Sequence, residues 1–93
     1  MAAGRMADIT LTITNEVGLH ARPAALFVRA ASRYPDTRVE IIKNGRAQNA
    51  KSILGVLTLQ VTRGTTIQVR ADGPHADDVL KSLHDLVVSG FRE

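Results

Sequence analysis

The stretch Asp8-Ile9-Thr10-Leu11-Thr12-Ile13-Thr14-Asn15-Glu16-Val17-Gly18-Leu19-His20-Ala21-Arg22-Pro23-Ala24 decides the fold. From Asp8 to Thr14 apolar and polar residues alternate, the period of a strand with one buried face. Asn15-Glu16-Val17-Gly18 breaks that period. Beyond the break the apolar set becomes Ala24, Phe27, Val28 and Ala31, and these offsets describe one face of a helix. Pro23 is tolerated in the first turn, where its missing N–H would have had no intrahelical partner, and the helix ends before Pro35.

The same alternation of periods continues outward. Thr37 to Lys43 is rich in β-branched residues and stops at Asn44-Gly45, a hairpin signal because both residues tolerate positive φ, so Arg46 to Ala50 returns antiparallel. Ser52 precedes Ile53, Val56 and Leu57, which places it as the cap of a short helix whose first free amides its hydroxyl accepts. Leu59 and Val61 alternate briefly, Arg63-Gly64 marks a turn, and Ile67, Val69 and Ala71 form a further strand before Gly73-Pro74. Ala76, Val79, Leu80, Leu83, Leu86 and Val87 then share one helix face, with Asp77 and Asp78 in the first turn and Gly90 just past the end. The order is βαββαβα. Helices with one apolar stripe and strands with one apolar face make an α+β, two-layer sandwich with the helices on one side of a mainly antiparallel sheet.

At 93 residues with 44% hydrophobic content, the chain can bury one modest core, which excludes a multidomain enzyme and a disordered tail. One domain over residues 8–93 is expected, behind a flexible lead at residues 1–7 that lacks the apolar core of a signal peptide. No window approaches a membrane span, so a cytoplasmic protein without membrane insertion is expected. The absence of cysteine removes disulfides, thiolate metal sites and cysteine nucleophiles. A net charge of +3 is too small to imply a phosphate-tracking groove, and the aromatics Phe27, Tyr34 and Phe91 offer no stacking platform on a strand, so nucleic acid is not an expected partner.

His20 is the leading chemical candidate, lying between a strand and a helix whose N-terminus offers unpaired amides and partial positive charge. A neutral imidazole nitrogen can attack phosphorus without a separate base, and Arg22 supplies planar donors for phosphoryl oxygens. The plain alternative is a histidine exposed in a turn. Ser52 likewise reads either as a simple helix cap or as a switch, since a phosphate there sits well on a helix N-terminus beside Lys51 but meets an apolar Ile53, Leu54 and Leu57 surface. His75 and His84 lack metal-ligand spacing, so no metal is expected. Gly55 inside the short helix is costly unless close packing requires it.

Gly18-Leu19-His20-Ala21-Arg22-Pro23-Ala24-Ala25, together with Asn49-Ala50-Lys51-Ser52-Ile53-Leu54-Gly55-Val56 and the later Gly64, resembles the HPr family of histidine phosphocarriers in the bacterial phosphoenolpyruvate-dependent sugar phosphotransferase system. The resemblance runs from about Asp8 to the end. It implies an open-faced sandwich of four antiparallel strands and three helices. It also implies a carrier rather than an enzyme, without a cofactor, with phosphoenolpyruvate as the indirect phosphoryl source. His20 would accept the group through Nδ1 from phospho-enzyme I and pass it to sugar-specific IIA domains, Arg22 would stabilise the phosphoryl oxygens, and Pro23 would shape the helix entry. Phe27, Lys51, Ile53, Leu54 and Leu57 would belong to the partner-docking surface of a monomer. Ser52 matches the family's regulatory serine, implying an HPr kinase/phosphorylase and a catabolite-control transcriptional regulator as further partners. A nitrogen-related branch with a different IIA partner, or a signalling module acting through Ser52 alone, would use the same residues. Gly73-Pro74-His75-Ala76-Asp77-Asp78 departs from the more acidic segment many members carry there and alters how the last helix begins.

Overall fold

The computed structural model describes residues 5–92. Its elements are β1 (Arg5–Thr12), α1 (Ala21–Ser32), β2 (Arg38–Lys43), β3 (Arg46–Asn49), α2 (Ile53–Thr58), β4 (Thr66–Gly73) and α3 (Ala76–Val88), the expected order. The strands form one sheet in the order β1-β4-β2-β3, and every neighbouring pair is antiparallel. α3 packs on β1 and β4, α1 on α3 and α2, and α2 on β3.

Alternation explains why only one sheet face is covered. Leu11, Val39, Ile41, Ile67, Val69 and Ala71 point into the core with Phe27, Val56, Val79 and Leu83 from the helices. The opposite face carries Asp8, Arg70 and Glu40 in one cross-strand row and Thr10, Gln68 and Ile42 in the next. Those side chains need no cover, so the sandwich stays open there.

Boundaries differ from the sequence reading where long-range pairing outweighs local pattern. β1 starts at Arg5 rather than Asp8, because β4 is long enough to pair Arg5, Met6 and Ala7 with Gly73, Asp72 and Ala71. Of the expected lead, residues 1–4 lie outside the described residues. Leu59 and Val61 are both buried, yet they enter the core from an irregular connection and form no strand. Past α3, Gly90 (φ 73°) and Phe91 (φ 66°) turn the chain back, and the Phe91 amide donates to the Leu86 carbonyl at 2.9 Å while its ring is buried. This closes the helix end with an apolar plug.

A polar knot ties the α1–β2 connection to the rest. The Thr37 hydroxyl, fully buried, accepts from the His75 amide at 3.0 Å, and the His75 ring meets Asp36 Oδ1 at 3.0 Å. That hydrogen bond is the main reason the Asp36 carboxyl is held below the ordinary carboxylate range. His75, which the sequence marks as a departure at the start of α3, therefore turns its ring to Asp36 instead of capping the helix.

Candidate functional site

His20 stands at the N-cap of α1 in extended conformation (φ −131°, ψ 156°), exposed, and its side chain does not cap the helix. Its place is fixed by the residues before it. Gly18 donates its amide to the Asn15 carbonyl at 3.2 Å, its own carbonyl accepts from Asn15 Nδ2 at 3.0 Å, and the Leu19 amide donates to the Val61 carbonyl at 2.9 Å. Glycine is required at position 18: φ is +63°, and a Cβ would lie 2.3 Å from the Val61 carbonyl oxygen. Leu19 is buried, so the chain rises from the core there and His20 is the next side chain to reach solvent.

After His20 the chain must enter α1 abruptly. Ala21 does this with φ 49°, a left-handed conformation costing a non-glycine residue about 1–2 kcal/mol, which persists only where its surroundings dictate it. On the far side, Ala24 and Phe27 lock the helix into the core. The first turn of α1 contains no acidic residue, Pro23 brings no N–H, and Arg22 is exposed there. The positive end of the helix dipole is left open to an arriving anion.

Beside His20 runs a shallow groove lined by Val17, Lys43, Leu57, Gln60 and Thr62. Lys43 donates its ammonium to the Leu59 and Gln60 carbonyls at 3.0 and 2.8 Å, closing the C-terminal end of α2 where a cation is favoured. Gln60 reverses the chain with φ 53°. Sequence reasoning found neither residue: a lysine that ends a strand carries no sign of a helix terminus sixteen positions away, and glutamine is not a residue that announces positive φ.

Leu57 also links the groove to α2. Ile53 and Leu54, four and three residues before it on the same helical face, are 40% and 73% exposed, and Val17 is 55% exposed. Val17 and Leu57 line the groove with His20, and Ile53 and Leu54 extend the apolar rim from Leu57 along α2. Ser52 begins α2 as expected, its Oγ accepting from the Gly55 amide at 3.1 Å. Gly55 is explained by close approach, since a Cβ there would meet the Asn49 carbonyl oxygen at 3.3 Å.

Two expected docking residues are corrected. Phe27 is 0% exposed and belongs to the core, because its helical spacing from Ala24 and Ala31 aims it at the sheet. Lys51 is half-buried and gives its ammonium to the Tyr34 and Thr37 carbonyls, both at 2.6 Å, so its charge is engaged within the fold. Among the described residues no group of three or more histidine, cysteine or carboxylate side chains is arranged to hold a metal, and no helix is long and apolar enough to cross a membrane.

An exposed histidine at the uncapped start of a helix, on an open-faced βαββαβα sandwich with an apolar rim beside it, is the arrangement expected of a small phosphoryl-carrying protein. Comparison with known proteins agrees. A family model described as "PTS HPr component phosphorylation site" matches residues 7–89. The phosphocarrier protein HPr of Xylella fastidiosa is 39% identical over 88 residues, covering 95% of this chain and 98% of that protein. The HPr of Mycoplasma capricolum is 36% identical over 83 residues, covering 89% and 92%. Among solved structures, HPr-C-His from Thermoanaerobacter tengcongensis superimposes with a TM-score of 0.90 at 40% identity, over 94% of this chain and 97% of that one. The Bacillus subtilis catabolite repression HPr, Crh, gives 0.65 at 37% identity, over 87% and 95%. The chain belongs to the PTS-HPr family. It is a phosphocarrier of the phosphotransferase system, a protein substrate that moves phosphoryl groups originating in phosphoenolpyruvate between enzyme I and IIA.

Proposed function

We propose that His20 is the residue that carries the phosphoryl group. The observation behind this is its position: exposed, uncapped, and held at the open positive end of α1 by a buried Leu19. In the forward step the lone pair of His20 Nδ1 attacks the phosphorus of the enzyme I phosphohistidine, whose other ring nitrogen carries a proton. One N–P bond forms as the other breaks, the enzyme I imidazole keeps that proton and leaves as the neutral base, and His20, still protonated on Nε2, takes up the positive charge as a phosphorylated imidazolium. Arg22 and the first amides of α1 receive the phosphoryl oxygens, and the step repeats toward a histidine of a sugar-specific IIA domain. Val17, Ile53, Leu54 and Leu57 supply the apolar surface on which both partners dock in turn. The protein acts in the cytoplasm, as a monomer, where its partners meet it in sequence.

Ser52 is the regulatory site in this reading. Its hydroxyl begins α2 directly beside exposed Ile53 and Leu54, so a phosphate there puts about −1.5 to −2 charges on the docking rim without disturbing the core. Likeness to the Bacillus subtilis catabolite repression HPr supports a role of that form in catabolite repression, with an HPr kinase/phosphorylase and a transcriptional regulator as its proposed partners.

The test is phosphate incorporation from phosphoenolpyruvate through enzyme I, followed by intact mass and by acid lability. A single acid-labile phosphate on the wild type, absent from a folded His20→Ala variant, is expected. Label that persists in that variant overturns the assignment. Arg22→Ala is expected to slow transfer while leaving the melting temperature nearly unchanged.

A further inference from the structure

We propose that Asn15 is a positioning residue for phosphoryl transfer, an inference that rests on His20 being the carrier. Of the four polar backbone groups of Gly18 and Leu19, three are held: the Gly18 amide, the Gly18 carbonyl and the Leu19 amide. Asn15 satisfies the first with its carbonyl oxygen and the second with its Nδ2, at 3.2 and 3.0 Å, and Val61 satisfies the third at 2.9 Å. Both polar groups of Gly18 are thus gripped by one residue, and only Leu19, anchored by its amide and its buried side chain, separates Gly18 from the carrier.

The other end of Asn15 is anchored as well. Ile13 donates its amide to the Thr65 carbonyl at 2.9 Å and accepts from the Gly64 amide at 2.6 Å, joining the end of β1 to the turn before β4. The clamp therefore transmits the rigidity of the sheet edge to His20. Gly18, lodged against the Val61 and Thr62 backbone, cannot shift sideways to compensate.

A second observation shows that the carboxamide is held for this bond. Its Oδ1 is buried with no hydrogen-bond partner among the described residues. Turning the amide over would set Oδ1 against the Gly18 carbonyl oxygen, two acceptors face to face, so the orphan acceptor is the consequence of keeping the Nδ2 donor where it is. An aspartate would have the same shape and no donor when ionised.

Displacement of a reacting group by about 1 Å can slow a reaction by about a hundredfold without weakening binding. The test measures kcat and KM for transfer from phosphoenolpyruvate-charged enzyme I to wild type, Asn15→Ala and Asn15→Asp, at a temperature where circular dichroism shows each folded. Both variants are expected to lose about tenfold to a hundredfold in kcat with KM within about twofold of wild type. A stability role alone would lower the melting temperature and leave kcat of the folded protein unchanged. Unchanged kcat in folded Asn15→Ala, or a loss confined to KM, overturns the proposal; should Asn15→Ala not fold, unchanged kcat in the isosteric Asn15→Asp does so. Wild type that takes no label, or label that survives His20→Ala, overturns instead the reading of His20, and this inference with it.

Discussion

Substituting Gly18 by alanine tests whether the approach to His20 is as tightly built as the distances imply. Two effects add. At φ +63° an alanine meets the left-handed penalty of about 1–2 kcal/mol. The new Cβ would also lie 2.3 Å from the Val61 oxygen and 2.8 Å from Thr62 Cα, both backbone atoms that no rotamer change can clear. Val61 must then retreat, and its carbonyl is the acceptor for the Leu19 amide, a bond contributing about 0.5–1.5 kcal/mol. A destabilisation of about 2–4 kcal/mol follows, or on the order of 10–30 °C in melting temperature for a domain of this size. Gly64→Ala is the internal control. Its φ is +90° but nothing lies within 4 Å of the added Cβ, so it carries backbone strain without overlap and is expected to lose only about 4–16 °C. Thermal unfolding followed by circular dichroism compares the two directly. If Gly18→Ala melts within about 3 °C of Gly64→Ala, the close packing against Val61 and Thr62 contributes nothing and the reasoning is refuted.

Three further expectations concern stability. Phe27→Ala should lose about 3–5 kcal/mol in urea unfolding, the value for a large core ring; a loss below about 1 kcal/mol with impaired partner binding would return Phe27 to the surface. Lys51→Met strands the Tyr34 and Thr37 carbonyls and should lose about 2–4 kcal/mol, whereas a docking lysine would change affinity for enzyme I at constant stability. Because His75 lowers the Asp36 pKa, the unfolded chain binds more protons than the folded one between the lowered value and the ordinary carboxylate range. The pair's contribution is therefore complete above that range and fades as pH falls through the lowered value. His75→Ala should show a shallower acid-side fall in melting temperature than wild type, and parallel curves would contradict the pairing.

The fold was legible because its signals are local. Alternation at Ile9, Leu11 and Ile13, the hairpin at Asn44-Gly45, and the Ser52 cap each lie within a few residues of what they determine. Phe27 is instructive: its spacing with Ala24 and Ala31 already places it on the core-facing stripe, and only the family resemblance moved it to the docking surface. Periodicity was the better guide there because burial follows helix geometry. What could not be read depends on contacts between distant segments. Lys51 reaches carbonyls fourteen and seventeen positions away, and Lys43 reaches the end of α2. A lysine looks alike in the sequence whether its ammonium faces water or closes a loop. Asn15 was visible only as part of a break in the strand, since its clamp on Gly18 appears once the turn is built.

If His20 is the carrier, as proposed, its placement also bears on how transfer could run toward more than one partner. A carrier must release the phosphoryl group as readily as it takes it, so the site should orient the imidazole firmly while enclosing the phosphate only weakly. Here orientation comes from below and behind: buried Leu19, the Asn15–Gly18 turn, and Ala24 and Phe27 in the core all hold backbone. The face toward solvent offers a helix end and Arg22, both open to water, where charge–charge attraction is weakened by the high dielectric. On the proposed docking surface, a partner covering Val17, Ile53 and Leu54 would remove that water for the duration of the encounter and strengthen those interactions only then. On this reading the energetic work of transfer is shared with whichever surface covers the rim, and a phosphate on Ser52, at the edge of that rim, would act by making the cover harder to form.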